Sequence, residues 1–194
     1  MYEELKASGI SEKTPKEILL GAGTIHKNFK LISGKWNFDE SIIGATSGGN
    51  KLSIKRETIT VEPDGAMVKV KGLEFKTGET AQLDVNLLEI NKENVKLLTG
   101  AVEVTDTTFT GYDELVSKAQ IQEGDYLENF AYVGRRTDGT PIIVIFDNAL
   151  CTSGIDIDAK NKENSTFPAT FECYANLSDS PDKLPWHILI PTSA

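Results

Sequence analysis

The chain has 194 residues, enough for one domain with its own core. Its 39% hydrophobic and 25% charged residues are those of an ordinary globular protein, and no apolar run approaches the roughly 20 residues of a membrane span. Twenty basic against twenty-nine acidic side chains leave a net charge of -9, which argues against tight non-specific binding of DNA, because that depends on Lys and Arg releasing counterions.

The N-terminus, "MYEELKASGI", lacks the basic and apolar regions of a signal peptide, so the chain is expected to be made and first kept in a cytosol. Residues 1–15 have little pattern and read as an arm; residues 16–194 read as a single domain. "LLGAGTIHKNF" carries Gly21-Ala22-Gly23 but lacks the third glycine and following helix of a dinucleotide fold. His26 in this stretch, and His187 near the C-terminus, have no metal-ligand neighbour at the usual spacing and read as surface or strand-edge residues.

A loop of small residues, Gly44 to Asn50, lies within an extended loop at about 39–51. Ser47 in "GATSGG" is not a nucleophile elbow, because Ala45 stands where the first glycine of G-x-S-x-G belongs. Strand patterning follows. Leu52 and Ile54 share one face, and Ile59 and Val61 share the other phase, which predicts a bulge or bend near Arg56 and Glu57. Pro63-Asp64-Gly65 is turn chemistry. "AMVKVKGLEF" then alternates Val68 and Val70 against Lys69 and Lys71, and reads as a strand. In "TAQLDVNLLEI", Ala81, Leu83, Val85 and Leu87 oppose Gln82, Asp84 and Asn86.

One segment breaks the period of two. Asn91 is placed as an N-cap and Gly100 as a C′ glycine, with Val95 and Leu98 facing together, so Lys92–Thr99 is expected to be a short helix on a sheet. "YDELVSKAQI" fits a second helix or a strand with a polar face. "YLENFAYVGRR" and "PIIVIFDNAL" flank the turn at Asp138-Gly139, and "STFPATFECYANL" closes the strand set. "DIDAKNKEN", from Asp156, begins like a calcium loop but lacks the glycine at the sixth position and the glutamate at the twelfth, so it reads as a solvated turn. The Pro-bounded "KLPWHILIPTSA" forms an apolar tail at about 183–194. Cys151 and Cys173 sit in no redox or metal pattern and read as free small hydrophobes. Asp84, Glu89 and Asp147 have no base placed beside them, and no catalytic constellation emerges. The residues themselves point to an antiparallel β-sandwich or barrel that is not an enzyme.

The motifs "ILLGAGTIHKNF", "IIGATSGGNKLSI", "DGAMVKVKGLEF", "AQLDVNLLEINKENVKLLTGA", "DYLENFAYVGRRTDGTPIIVIFDNAL" and "FPATFECYANLSD…LPWHILIP" occur in that order from about Ile18 to Pro191. Together they resemble the major tail tube proteins of long-tailed, siphovirus-type bacteriophages and prophages of Gram-positive bacteria. The resemblance implies a mainly β fold, two packed antiparallel sheets forming a sandwich-like barrel with a flanking α-helix. It implies six-subunit rings, joined edge to edge and stacked into a tube whose acidic lumen conducts DNA during ejection without specific binding.

Its implied partners are further copies of the chain and the tape measure, tail terminator and baseplate or initiator proteins, with no membrane, metal or cofactor. Its implied place is the virion tail, assembled in the host bacterial cytoplasm. Gly44, Ser47, Gly48, Gly49 and Asn50, with Lys55 and Arg56, match the position of a ring-stacking loop. Gln82, Asp84 and Asn86 are candidate lumen-facing residues. The alternative is a soluble β-sandwich binding module for carbohydrate or a receptor, with Trp36 and Trp186 as candidate exposed platforms.

Overall fold

A computed structural model describes residues 8–106, 108–157, 159 and 161–192. In chain order the elements are α1 (Thr14–Glu17), β1 (Leu19–His26), β2 (Leu31–Ile32), β3 (Lys35–Trp36), α2 (Phe38–Ser41), β4 (Lys51–Thr60), β5 (Glu74–Leu87), α3 (Lys92–Thr99), β6 (Val102–Glu103) and β7 (Leu115–Val116). A 3-10 turn (Glu123–Asp125) leads into β8 (Leu127–Arg136), β9 (Pro141–Cys151), β10 (Phe167–Cys173) and β11 (Trp186–Leu189). The fold is mainly β, and its strand pairings are antiparallel.

Six strands pair in the order β1-β8-β9-β10-β5-β4, with β11 joined to β9. β9 explains how one sheet makes two layers. One edge pairs with β8 over almost its whole length. The other is divided: Ile143–Phe146 pairs with β11, and Ala149–Cys151 pairs with β10. β10 therefore leaves the plane of β9 and carries β5 and β4 with it. The resulting limbs face one another across the main core. Leu83, Val85 and Leu87 of β5 and Phe171 of β10 pack with Phe130 of β8 and Val144 and Phe146 of β9. The Phe130 and Phe171 rings lie 4.4 Å apart. The sheet does not close into a barrel; β1 and β4 end it.

A smaller apolar cluster, Phe29, Ala131, Ile143 and Ile145, lies on the opposite face of β8 and β9. Trp36 and Phe38 cover it from the β2–β3 ribbon and α2, with Trp36 stacked on Phe29 at 4.9 Å.

α3 spans Lys92–Thr99, as its caps predict. The Asn91 side chain accepts from the Asn94 amide at 2.8 Å, and Gly100 adopts φ 63° and donates to the Lys96 carbonyl. Leu98 enters the main core. The bulge also lies where the phase change places it. Glu57 opposes Gly78, but Thr58 opposes Lys76, so Thr77 is the extra residue. Beyond this bulge the apolar residues change faces, leaving Ile59, Val61 and Phe75 about half exposed on a projecting hairpin.

Several expectations need correction. "AMVKVKG" is not a strand in the chain; Val61–Leu73 is a wide loop between β4 and β5, with its turn at Asp64-Gly65. "YDELVSKAQI" contributes only the two residues of β7. His26 is on an edge strand, but only 1% exposed. The glycines before it form a bulge, where Leu20 opposes Arg135 and Thr24 opposes Val133. A Cβ at Gly23, φ +73°, would lie 2.6 Å from the Val133 carbonyl oxygen, so this position needs glycine. Of the expected N-terminal arm, residues 1–7 lie outside the described residues.

Candidate functional site

Alternation along β5 divides its side chains between two environments. Ala81, Leu83, Val85 and Leu87 are buried in the core, so Gln82, Asp84 and Asn86 lie half-buried on the opposite face. Register builds that face outward. Lys51 and Thr170 flank Asp84, Ser53 and Glu172 flank Gln82, and Pro168 lies beside Asn86. Asp84 accepts from the Thr170 hydroxyl at 2.9 Å and from the Gln82 amide at 3.3 Å. Apart from Pro168, the face is polar through these residues. Its charges are Lys51 and Lys55 against Asp84, Glu172 and Glu57, a small acidic excess.

The glycine-rich loop is pinned to the body. Ile43 donates to the Ile25 carbonyl and Ser47 to the Asn86 carbonyl, while Leu88 donates to the Ala45 carbonyl. The Asn86 side chain donates to Gly49, and the Asn50 side chain donates to Ala22 inside the β1 bulge. Gly44, Gly48 and Gly49 have positive φ, which lets the backbone turn back repeatedly over the β5 end. The loop thus covers part of the outer edge of β1 and touches the polar face through Asn86. Ser47, Gly48 and Gly49 are brought to Asn86, Gly44 lies against Glu89 and Asn94, and Asn50 reaches Ala22, but Lys55 and Arg56 are not part of that group.

Lys55 continues the polar face beyond Ser53, whereas Arg56 opposes Glu79 at the bulge. Both are exposed and make no ion pair among the described residues. Glu79 is already engaged by the Lys76 ammonium at 2.5 Å and the Trp186 indole N–H at 3.2 Å; the Lys76 hydrogen bond holds its carboxyl below the usual range. Trp186 is therefore a half-buried link between β11 and the hairpin root rather than an open platform. Trp36 is likewise occupied by its stacking on Phe29.

His26 was missed as a buried group. The Ser41 hydroxyl donates to the Asn37 carbonyl at 2.6 Å, so its oxygen accepts from His26 Nδ1–H at 2.8 Å. Nε2 then accepts from the Thr24 hydroxyl at 2.7 Å. Burial lowers the ring pKa to about 4, which keeps the imidazole neutral at neutral pH. It joins β1 to α2 and has no path to substrate. His187 is exposed and lies 3.2 Å from an Asp147 carboxylate oxygen. Cys173 is buried and its thiol pKa is pushed up to about 12, so it is inert as a nucleophile; it and Cys151 are free. No group of three or more metal-ligating side chains occurs among the described residues.

A groove of about 730 Å³ opens where β8 begins and β10 ends. Tyr126, Glu128, Asn148, Tyr174 and Asn176 line it. The two tyrosine rings meet edge-on at 5.5 Å. The Asn148 amide nitrogen is buried without a partner among the described residues. No residue pattern in the sequence marks this groove, because its walls come from segments that meet only through the β8–β9–β10 ladder.

No family model matches the chain, and no curated protein matches it. Among solved structures it is similar to a chain of the "Virion of native gene transfer agent (GTA) particle", at 13% identity and a TM-score of 0.39. That match covers 80% of this chain and 92% of the other. A likeness this slight carries no argument about function.

Proposed function

We propose that the chain is a structural virion protein, a tail tube subunit that assembles as hexameric rings stacked around a DNA-conducting lumen. The observation that supports this most is the division of the β4–β5–β10 limb. One face is core, and the other, between the bulge and the glycine-rich loop, is a mostly polar surface without a catalytic group. Such a surface suits a wall past which a polyanion slides. Gln82, Asp84 and Asn86 are proposed to face the lumen. Asp84 and Glu172 repel phosphate, while Lys51 and Lys55 limit that repulsion.

Edge-to-edge joining of sheets also removes the free edges that β1, β4 and β11 leave, and sixfold rotation closes the head-to-tail contacts. Gly44, Ser47, Gly48, Gly49 and Asn50 are proposed to meet the next ring, with Lys55 and Arg56 available to acids of a neighbour. The proposed location is the virion tail, and the proposed partners are the tape measure, terminator and initiator proteins.

Sedimentation velocity over rising concentration tests the reading. Conversion of monomer to hexamers and longer assemblies supports it; a monomer at every concentration, alone and with an initiator complex, opposes it.

The groove at Tyr126 and Tyr174 favours a second reading, a sandwich module that binds a neutral sugar. Two aromatic rings with carboxylate and amide groups beside them are the chemistry such a ligand uses. Titration with soluble glycans, followed by amide shifts confined to these residues, would favour that reading.

A further inference from the structure

The segment Met67–Lys71 has the pattern of a strand without a strand's partners. Val68 and Val70 alternate with Lys69 and Lys71. Yet Met67 is 97% exposed and Val68 77%. The amides of Met67 to Lys71 donate no hydrogen bond among the described residues. An exposed β-patterned segment with free backbone donors is suited to complete another sheet.

Three edges are available for comparison. The outer face of β4 presents Lys51 and Lys55, with Glu57 at the bulge, so Lys69 and Lys71 laid along it would meet a net like charge. β1 is covered over its second half by the glycine-rich loop, and its first half is broken by the Gly21–Gly23 bulge and flanked by Arg135 and Arg136. β11 differs from both. No Lys, Arg, Asp or Glu occurs from Leu184 to Ile190, and Ile188, Leu189 and Ile190 are exposed. Among the described residues β11 pairs only with β9, and no strand lies beside its outer edge.

We propose that Met67–Lys71 of one copy adds as a strand to the outer edge of β11 in a second copy, with Val68 and Val70 packing against its apolar side chains. This rests on the ring reading above and names the segment and edge that would join neighbours. Within one copy, Trp186 at the start of β11 bonds Glu79 at the root of the hairpin, so the two elements are tied together.

The test uses the full chain. Val70→Pro removes one backbone donor that has no partner among the described residues and leaves the Val70 carbonyl free to accept from Leu73, so the monomer should melt as before. The concentration needed for assembly should rise by about tenfold or more, the loss of one good strand contact. In a Cys151→Ser background, Val68→Cys and Ile188→Cys chains are mixed and oxidised. Disulfide-linked dimers between the two variants are expected. Assembly of Val70→Pro at the native concentration, or cross-linking of Val68→Cys to a Lys55→Cys chain in place of Ile188→Cys, overturns the proposal and leaves the ring reading standing. A chain that never assembles overturns both.

Discussion

At the residue scale, His26 makes stability depend on pH. Its ring stays neutral in the folded chain down to about pH 4, because burial disfavours the imidazolium. In the unfolded chain it titrates near pH 6.5. Between these values the unfolded state binds more protons, so its contribution is full above about pH 6.5 and is lost as pH falls toward 4. The complete loss is about 3 kcal/mol. Urea unfolding at pH 7 and pH 4.5 should show this decline, and a His26→Gln chain should show a shallower one. An identical pH slope in the two chains would remove His26 as its source. Nothing local in "GTIHKNF" announces this role, because the burial comes from Ser41, Phe29 and Phe38, which reach the ring only through the fold.

At the scale of elements, α3 is held by its cap as well as by Leu98. Asn91→Ala removes the acceptor for the Asn94 amide and should destabilise the chain by about 1 kcal/mol in chemical denaturation, whereas Asn91→Asp should retain most of that stability. No loss in the alanine variant would mean that core packing alone holds the helix. This helix was legible in the sequence because its cap, glycine stop and apolar spacing all act within ten residues. The bulge was legible because the apolar residues of β4 change phase between Ile54 and Ile59. The division between Gln82, Asp84, Asn86 and the core face was legible for the same reason of period. Their neighbours Thr170 and Lys51 were not, since register between distant strands has no local signature. "AMVKVKG" shows the opposite limit: its strand period is real, but its chain supplies no partner. The split edge of β9 and the pinning of Gly44 to Asn50 likewise depend on contacts between segments far apart in the chain.

At the scale of the whole molecule, an open sheet with a polar outer face, three strand edges and an unpaired strand-like segment has the features that the proposed assembly would use. Each of these features is a cost or a hazard in an isolated monomer. Each acquires a use if copies close into a ring: edges are paired, the polar face lines a channel, and the projecting hairpin meets the next subunit. Electron microscopy of the concentrated full-length chain tests that claim most directly. The account predicts hollow rods of uniform width whose cross-sections average to sixfold rings. Solid aggregates, or single particles of monomer size under conditions that support tail assembly, would contradict it.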